Sequence, residues 1–157
     1  MITAYIDFKS LDCFLAISSI LELADDCETP VSWQPYRRKE RALPTQVANE
    51  SVTQTHHRVR AASERRLQLH YARLRGLDID PSRGQIDTSA ALGWLASLEG
   101  DTSSFVSRLF TAHWIDRTDI NDPTFLQELT TQCGLRRTGD AVALRLIERK
   151  AEEKGLF

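Results

Sequence analysis

Two side chains able to hold a sulfur or an anion stand three residues apart near the start of the chain. They are Ser10 and Cys13, in the stretch IDFKSLDCFLA at residues 6–16. A short apolar strand ends at this polar corner, and an apolar helix begins at once. Backbone N–H groups at a helix N-terminus, together with the macrodipole, stabilise a nearby anion. A serine hydroxyl there can add a charge-assisted hydrogen bond to a thiolate without competing as a redox partner. The same hydroxyl can serve as a helix N-cap, worth about 1 kcal/mol and needing no ligand. Spacing alone leaves both roles open. Asp12 suits the first turn of a helix, yet it would also be a like charge beside any thiolate held by Ser10. At about 6 Å and an effective dielectric of 20 to 40, that costs roughly 1.4–2.8 kcal/mol, or one to two pKa units.

Other candidates for chemistry are fewer. Cys13, Cys27 and Cys133 form an odd set without metal-like spacing, so reduced thiols in a cytoplasmic protein are expected. Cys27 and Cys133, at the ends of predicted helices, are expected as buried small apolar residues. The four histidines, at 56, 57, 70 and 113, have no CxxC or HExxH company, and no zinc site is expected. The N-terminus lacks a basic-then-apolar signal, and no segment has the apolar length of a membrane span. Net charge is −2, which gives no general attraction to nucleic acid or anionic lipid. Arginine is nonetheless concentrated between Arg37 and Arg75, with only Glu40, Glu50 and Glu64 as acids among it. That cluster reads either as a solvated helix face or as a local site for a carboxylate.

The elements that must position these residues follow from pattern. A chain of 157 residues has the size of one domain, able to bury roughly 70% of its unfolded surface. ITAYIDF alternates and is rich in β-formers, so it predicts a strand. Leu11 to Cys27 has helical spacing, and VSWQPY predicts a second strand ending near Pro35. This strand–helix–strand unit should be right-handed with parallel strands. Beyond Pro44 the grammar is helical. An Arg-rich helix over 51–75 stops at Gly76, and DTSAALGWLASLEG carries the next. DTSSFVSRLFTAHWID has Phe105, Leu109, Phe110 and Trp114 on one stripe. DPTFLQELTTQCG has Pro123 at its first position and Gly134 past its end. TGDAVALRLIERKAEEKG closes the chain as an amphipathic helix. The expectation is βαβ followed by about five helices and no further strand. Two strands alone make a marginal sheet, so the arrangement looks like a sheet without its remaining strands.

YIDFKSLDCFLA resembles the opening of the 2-hydroxychromene-2-carboxylate isomerases and kappa-class glutathione transferases, in the DsbA-like branch of the thioredoxin fold. Their corner commonly reads D-F-x-S-P-Y-x-Y-L-A, and Asp7, Phe8, Ser10, Leu15 and Ala16 match it. The likeness continues through VSWQPYR, HYARLRGLDI, HWIDRTDINDPTFLQELTTQCGL and AEEKGLF. It covers all of this chain and about the first three-quarters of such a protein.

The resemblance implies an α/β fold: a thioredoxin-like domain of the DsbA type with a large helical insertion, C-terminally incomplete. Residues 1–157 would form one domain, with a βαβ unit at 1–44, a helical insertion at 45–137 and a closing helix at 138–157. It implies glutathione as cofactor, a small aromatic carboxylate as substrate, and a homodimer. Ser10 corresponds to the catalytic serine, which stabilises the glutathione thiolate. Cys13 takes the second position of a C-x-x-C, and glutathione binding falls to Ser10, Cys13, Pro35 and Asn49. The thiolate adds to the substrate, lets a bond rotate and leaves again.

Two departures count against this activity. Pro-Tyr after the serine is Leu11-Asp12 here. The cis-proline loop that pairs with the tripeptide backbone, and the strands and helix after it, have no counterpart before Phe157. A non-catalytic binding or dimerisation module is therefore the competing reading. A thiol–disulfide oxidoreductase relative ranks third, since Cys13 alone opposite Ser10 cannot close the usual intramolecular disulfide.

Overall fold

The computed structural model describes residues 1–37, 51–138 and 143–155. These form two compact units, Met1–Arg38 with Asp80–Phe157, and Lys39–Ile79. Residues 80–137, expected within the helical insertion, thus group with the βαβ unit.

In the larger unit, β1 (Ile2–Ile6) leads into α1 (Leu11–Asp26) and then β2 (Val31–Pro35). The strands pair in parallel, from Ile2 opposite Val31 to Ile6 opposite Pro35. Pro35 has no N–H to give a ladder, which suits it to the last position of a strand. The ladder's final bond is donated instead by Tyr36 N to Ile6 O, at 2.9 Å.

After a 3₁₀ turn at Pro81–Gln85 come α3 (Ser89–Ala96), α4 (Ser103–Trp114), α5 (Pro123–Gln132) and α6 (Ala143–Glu153). Helices α3, α4 and α6 contact β2, and α1 packs on α4. The core is the predicted α4 stripe, since Phe105, Leu109, Phe110 and Trp114 are all buried. Phe8 meets Phe110 at 4.9 Å between ring centroids, and Phe14 stacks on Phe110 and Trp114 at 6.1 and 6.4 Å. Offset and tilted rings at these separations are the favourable aromatic geometries. Asp122 caps α5 by accepting from Thr124 N at 2.9 Å, with Pro123 at the first helical position. Gly134 ends the segment with φ +66°, a conformation in which a Cβ would be strained.

The expectation of no further strand is corrected. Leu98–Glu99 (β3) pairs antiparallel with Arg136–Arg137 (β4). Two-residue strands are too short to show alternation, and tertiary partners supply what pattern does not. Arg137 lies over the Trp94 ring at 3.9 Å and donates to Ser97 Oγ at 3.1 Å.

The smaller unit is described by α2 (Val52–Leu74). Ser51 and Gln54 form a capping box, in which Ser51 Oγ accepts from Gln54 N and Gln54 Oε1 accepts from Ser51 N. This satisfies two groups a helix start otherwise leaves open. The helix stops as predicted at Gly76, φ +69°. Among the described residues no helix is long and apolar enough to cross a membrane.

Candidate functional site

The corner between β1 and α1 is built from Asp7 outward. Its backbone oxygen accepts from Ser10 N at 2.9 Å. Its carboxylate Oδ1 accepts from Lys9 N at 3.2 Å and from Thr88 Oγ1 at 2.8 Å. Asp7 is buried, and a buried carboxylate needs such donors to offset its lost hydration. Thr88 is the N-cap of α3, yet it makes no capping bond with its side chain. Its hydroxyl serves Asp7 instead, and Asp87 Oδ1 accepts from Ser89 N at 3.2 Å. Trp114 Nε1 donates to Phe8 O at 3.0 Å, and Gly84 lies against the Lys9 carbonyl.

On this frame Ser10 is the N-cap of α1, with φ −85° and ψ 113°. Its Oγ accepts from Cys13 N at 3.4 Å, longer than the usual range for such a bond. Among the described residues the hydroxyl makes this bond alone, and as an acceptor. Its own proton is therefore available to donate. The structure brings Ser10 and Cys13 onto one turn, with Cys13 half-buried and its thiol free.

The other predicted site residues stand differently. Pro35 is wholly buried at the end of β2, so in this conformation it offers no surface to a ligand. Asn49 lies outside the described residues. Cys27 is exposed and Cys133 half-buried, which corrects the expectation that both are buried. Each is the C-cap residue of its helix, where a side chain that continues the apolar spacing turns away from the core. Within the arginine cluster, Arg37 pairs with Glu148 at 3.4 Å and Arg60 with Glu64 at 3.0 Å. Arg38, Lys39 and Arg41 lie outside the described residues.

Asp12 is exposed in the first turn, which revises its expected effect. A carboxylate facing water acts through a dielectric nearer 80 than 20. At about 6 Å its penalty on a thiolate then falls to roughly half a pKa unit. Were a thiol to bind at Ser10, Asp12→Asn should lower its pKa by no more than about half a unit. The ultraviolet titration of the bound thiol measures this. A shift of two units would mean that Asp12 reaches the thiolate through protein, not water.

Sequence reasoning missed the support behind the corner. Arg83 Nε donates to His113 O at 2.9 Å, and Arg83 Nη2 donates to Thr118 O at 2.6 Å. Nη2 also lies 3.3 Å from His113 Nδ1, and His113 Nε2 lies 3.1 Å from Arg83 O. A guanidinium can only donate, so Nδ1 is the acceptor and the ring carries its proton on Nε2. Burial, and then the Arg83 charge, lower the His113 pKa to about 4. The one visible signal was a histidine on the apolar stripe of α4.

No family model matches the chain, and no curated protein matches it. Among solved structures it is similar to a 2-hydroxychromene-2-carboxylate isomerase, with a TM-score of 0.51 and 16% identity. The match covers 98% of this chain and 75% of that one. The fold is thioredoxin-like, of the DsbA type. At this identity the likeness speaks for the fold alone.

Proposed function

We propose that this chain is a glutathione-dependent isomerase or transferase in which Ser10 holds the glutathione thiolate. The observation that carries this reading is the Ser10 hydroxyl at the N-terminus of α1, which uses its oxygen in a long capping bond and keeps its proton. A donor there and the helix dipole both favour the charged form of a bound thiol. The thiolate adds to a conjugated C=C bond of a small aromatic carboxylate. A C–S bond forms as the π bond breaks, its electron pair moves into the conjugated carbonyl, and the former double bond, now single, rotates. The C–S bond then breaks and returns the thiolate. The cycle consumes no oxidant or reductant, so it needs no second cysteine partnered with Cys13. A reducing, cytoplasmic setting is part of the same reading.

Ser10→Ala should raise the pKa of the bound glutathione thiol by about one to two units. That is the equivalent of the roughly 1.5–3 kcal/mol carried by a hydrogen bond to a charged group. Thiolate absorbance followed against pH measures it, with tripeptide affinity from calorimetry as the companion value. An unchanged titration returns Ser10 to its role as a helix cap. A non-catalytic binding module is the second reading, favoured by narrow access, since Ser10 is only 7% exposed. Glutathione binding with no displacement of its thiol pKa would select that reading.

A further inference from the structure

Helices α4 and α5 line a cavity of about 220 Å³ that the Ser10 chemistry does not use. Phe110 and Trp114 turn one side of α4 toward Phe14 of α1. At about 100° per residue, Arg108 and Ala112 of the cavity wall lie roughly 160° around the helix from that side. The cavity therefore opens on the face of α4 away from the β1–α1 corner.

Its floor is apolar, since Ala112 and Leu129 are both buried. Its rim is charged and exposed, with Arg108 from α4, Asp116 just past the end of α4, and Glu128 from α5. Residues 115–122 join the two helices, and so short a link returns α5 back along α4. Arg108 accordingly stands beside Gln132 near the end of α5, and its Nη2 donates to Gln132 Oε1. Asp116 lies eight residues on from Arg108, about 12 Å along the helix direction. Glu128 and then Phe125 lead from Gln132 toward that acidic end. Thr118 closes it as a fixed wall, its N–H donating to Ala112 O at 2.9 Å and its carbonyl accepting from Arg83 Nη2 at 2.6 Å.

Opposite charges within reach of one another gain by pairing directly. Among the described residues Arg108, Asp116 and Glu128 enter no ion pair, although all three line one cavity. We propose that this cavity binds a small dipolar molecule, with its carboxylate at Arg108 and its alkylammonium between Asp116 and Glu128. Gln132 orients the guanidinium, which keeps further N–H groups for a carboxylate. The ammonium meets two carboxylates and the Phe125 ring, a favourable neighbour for a cation. A methylene chain between the two ends covers Ala112 and Leu129. The volume is below that of drug-sized sites, which fits the class of ω-amino acids and basic amino acids. This inference is independent of the glutathione reading.

An NMR titration of the full chain with 6-aminohexanoate is the test, with hexanoate and hexylamine as its two halves. The zwitterion should bind with Kd on the order of 0.1–1 mM, and each half about 10-fold more weakly. Shifts should centre on α4 and α5, and Ser10→Ala should leave them unchanged. Arg108→Gln should weaken the zwitterion by about 10-fold without weakening hexylamine. Asp116→Asn with Glu128→Gln should cost a similar factor without weakening hexanoate. Circular dichroism should be unchanged in both variants, since all three side chains are exposed. No shift at tens of millimolar overturns the proposal, as does an affinity indifferent to both variants. Equal affinity for the zwitterion and either half also overturns it, and so do shifts centred on Ser10.

Discussion

Trp114→Ala should destabilise the fold by about 3–5 kcal/mol, the cost of emptying a large aromatic site in a packed core. Trp114 is wholly buried, with Phe8, Phe105 and Phe110 among the other fully buried aromatics. It stacks on Phe14 of α1 and donates from Nε1 to Phe8 O. Its loss therefore empties volume behind α1 and orphans a carbonyl two residues before Ser10. Trp114→Phe separates the two effects. Most of the aromatic bulk remains, but Phe8 O loses its donor, for about 1–3 kcal/mol. Urea unfolding of both variants measures the sizes. If the alanine variant lost less than about 1 kcal/mol, Trp114 would not be the support of the corner that its contacts describe.

Acidification from pH 7 to pH 4 should remove about 2–3 kcal/mol of stability through His113 alone. In the folded chain its pKa is lowered from the usual 6.5 to about 4. The unfolded chain therefore binds a proton here between those limits and the folded chain does not. Stability from this group is complete above about pH 6.5 and is lost progressively as pH falls toward 4. The cause is geometric, since an imidazolium at this place would be buried and face the Arg83 guanidinium, 3.3 Å from Nδ1. His113→Gln should flatten this part of the pH profile whatever it does to stability at pH 7. The measurement is unfolding free energy against pH for both chains. A variant with the parent's slope between pH 6.5 and 4 would assign the acid sensitivity to other groups.

The misreadings have a common physical origin. β3 and β4 have no local pattern of their own: Leu98–Glu99 pairs with Arg136–Arg137 across the chain, and Arg137 is held by Trp94 and Ser97. Cys27 was expected inside because it continues the apolar spacing of α1, but as the C-cap residue it leaves the helix and is exposed.

The sequence by itself determined the local elements. Alternation placed β1 and β2, apolar periodicity placed the helices, and Pro123, Gly76 and Gly134 placed their ends. These depend on backbone preferences within a few residues, and so does the seat of Ser10 at the first turn of α1. Only the tertiary structure decided what holds that seat. Asp7 is bonded to Thr88 across 81 residues and Trp114 to Phe8 across 106. A hydroxyl such as that of Thr88 is equally able to cap its own helix or to satisfy a distant buried carboxylate. No local pattern distinguishes the two. The packing of α3 and α4 decides it, because a carboxylate taken out of water must find its donor wherever the chain brings one.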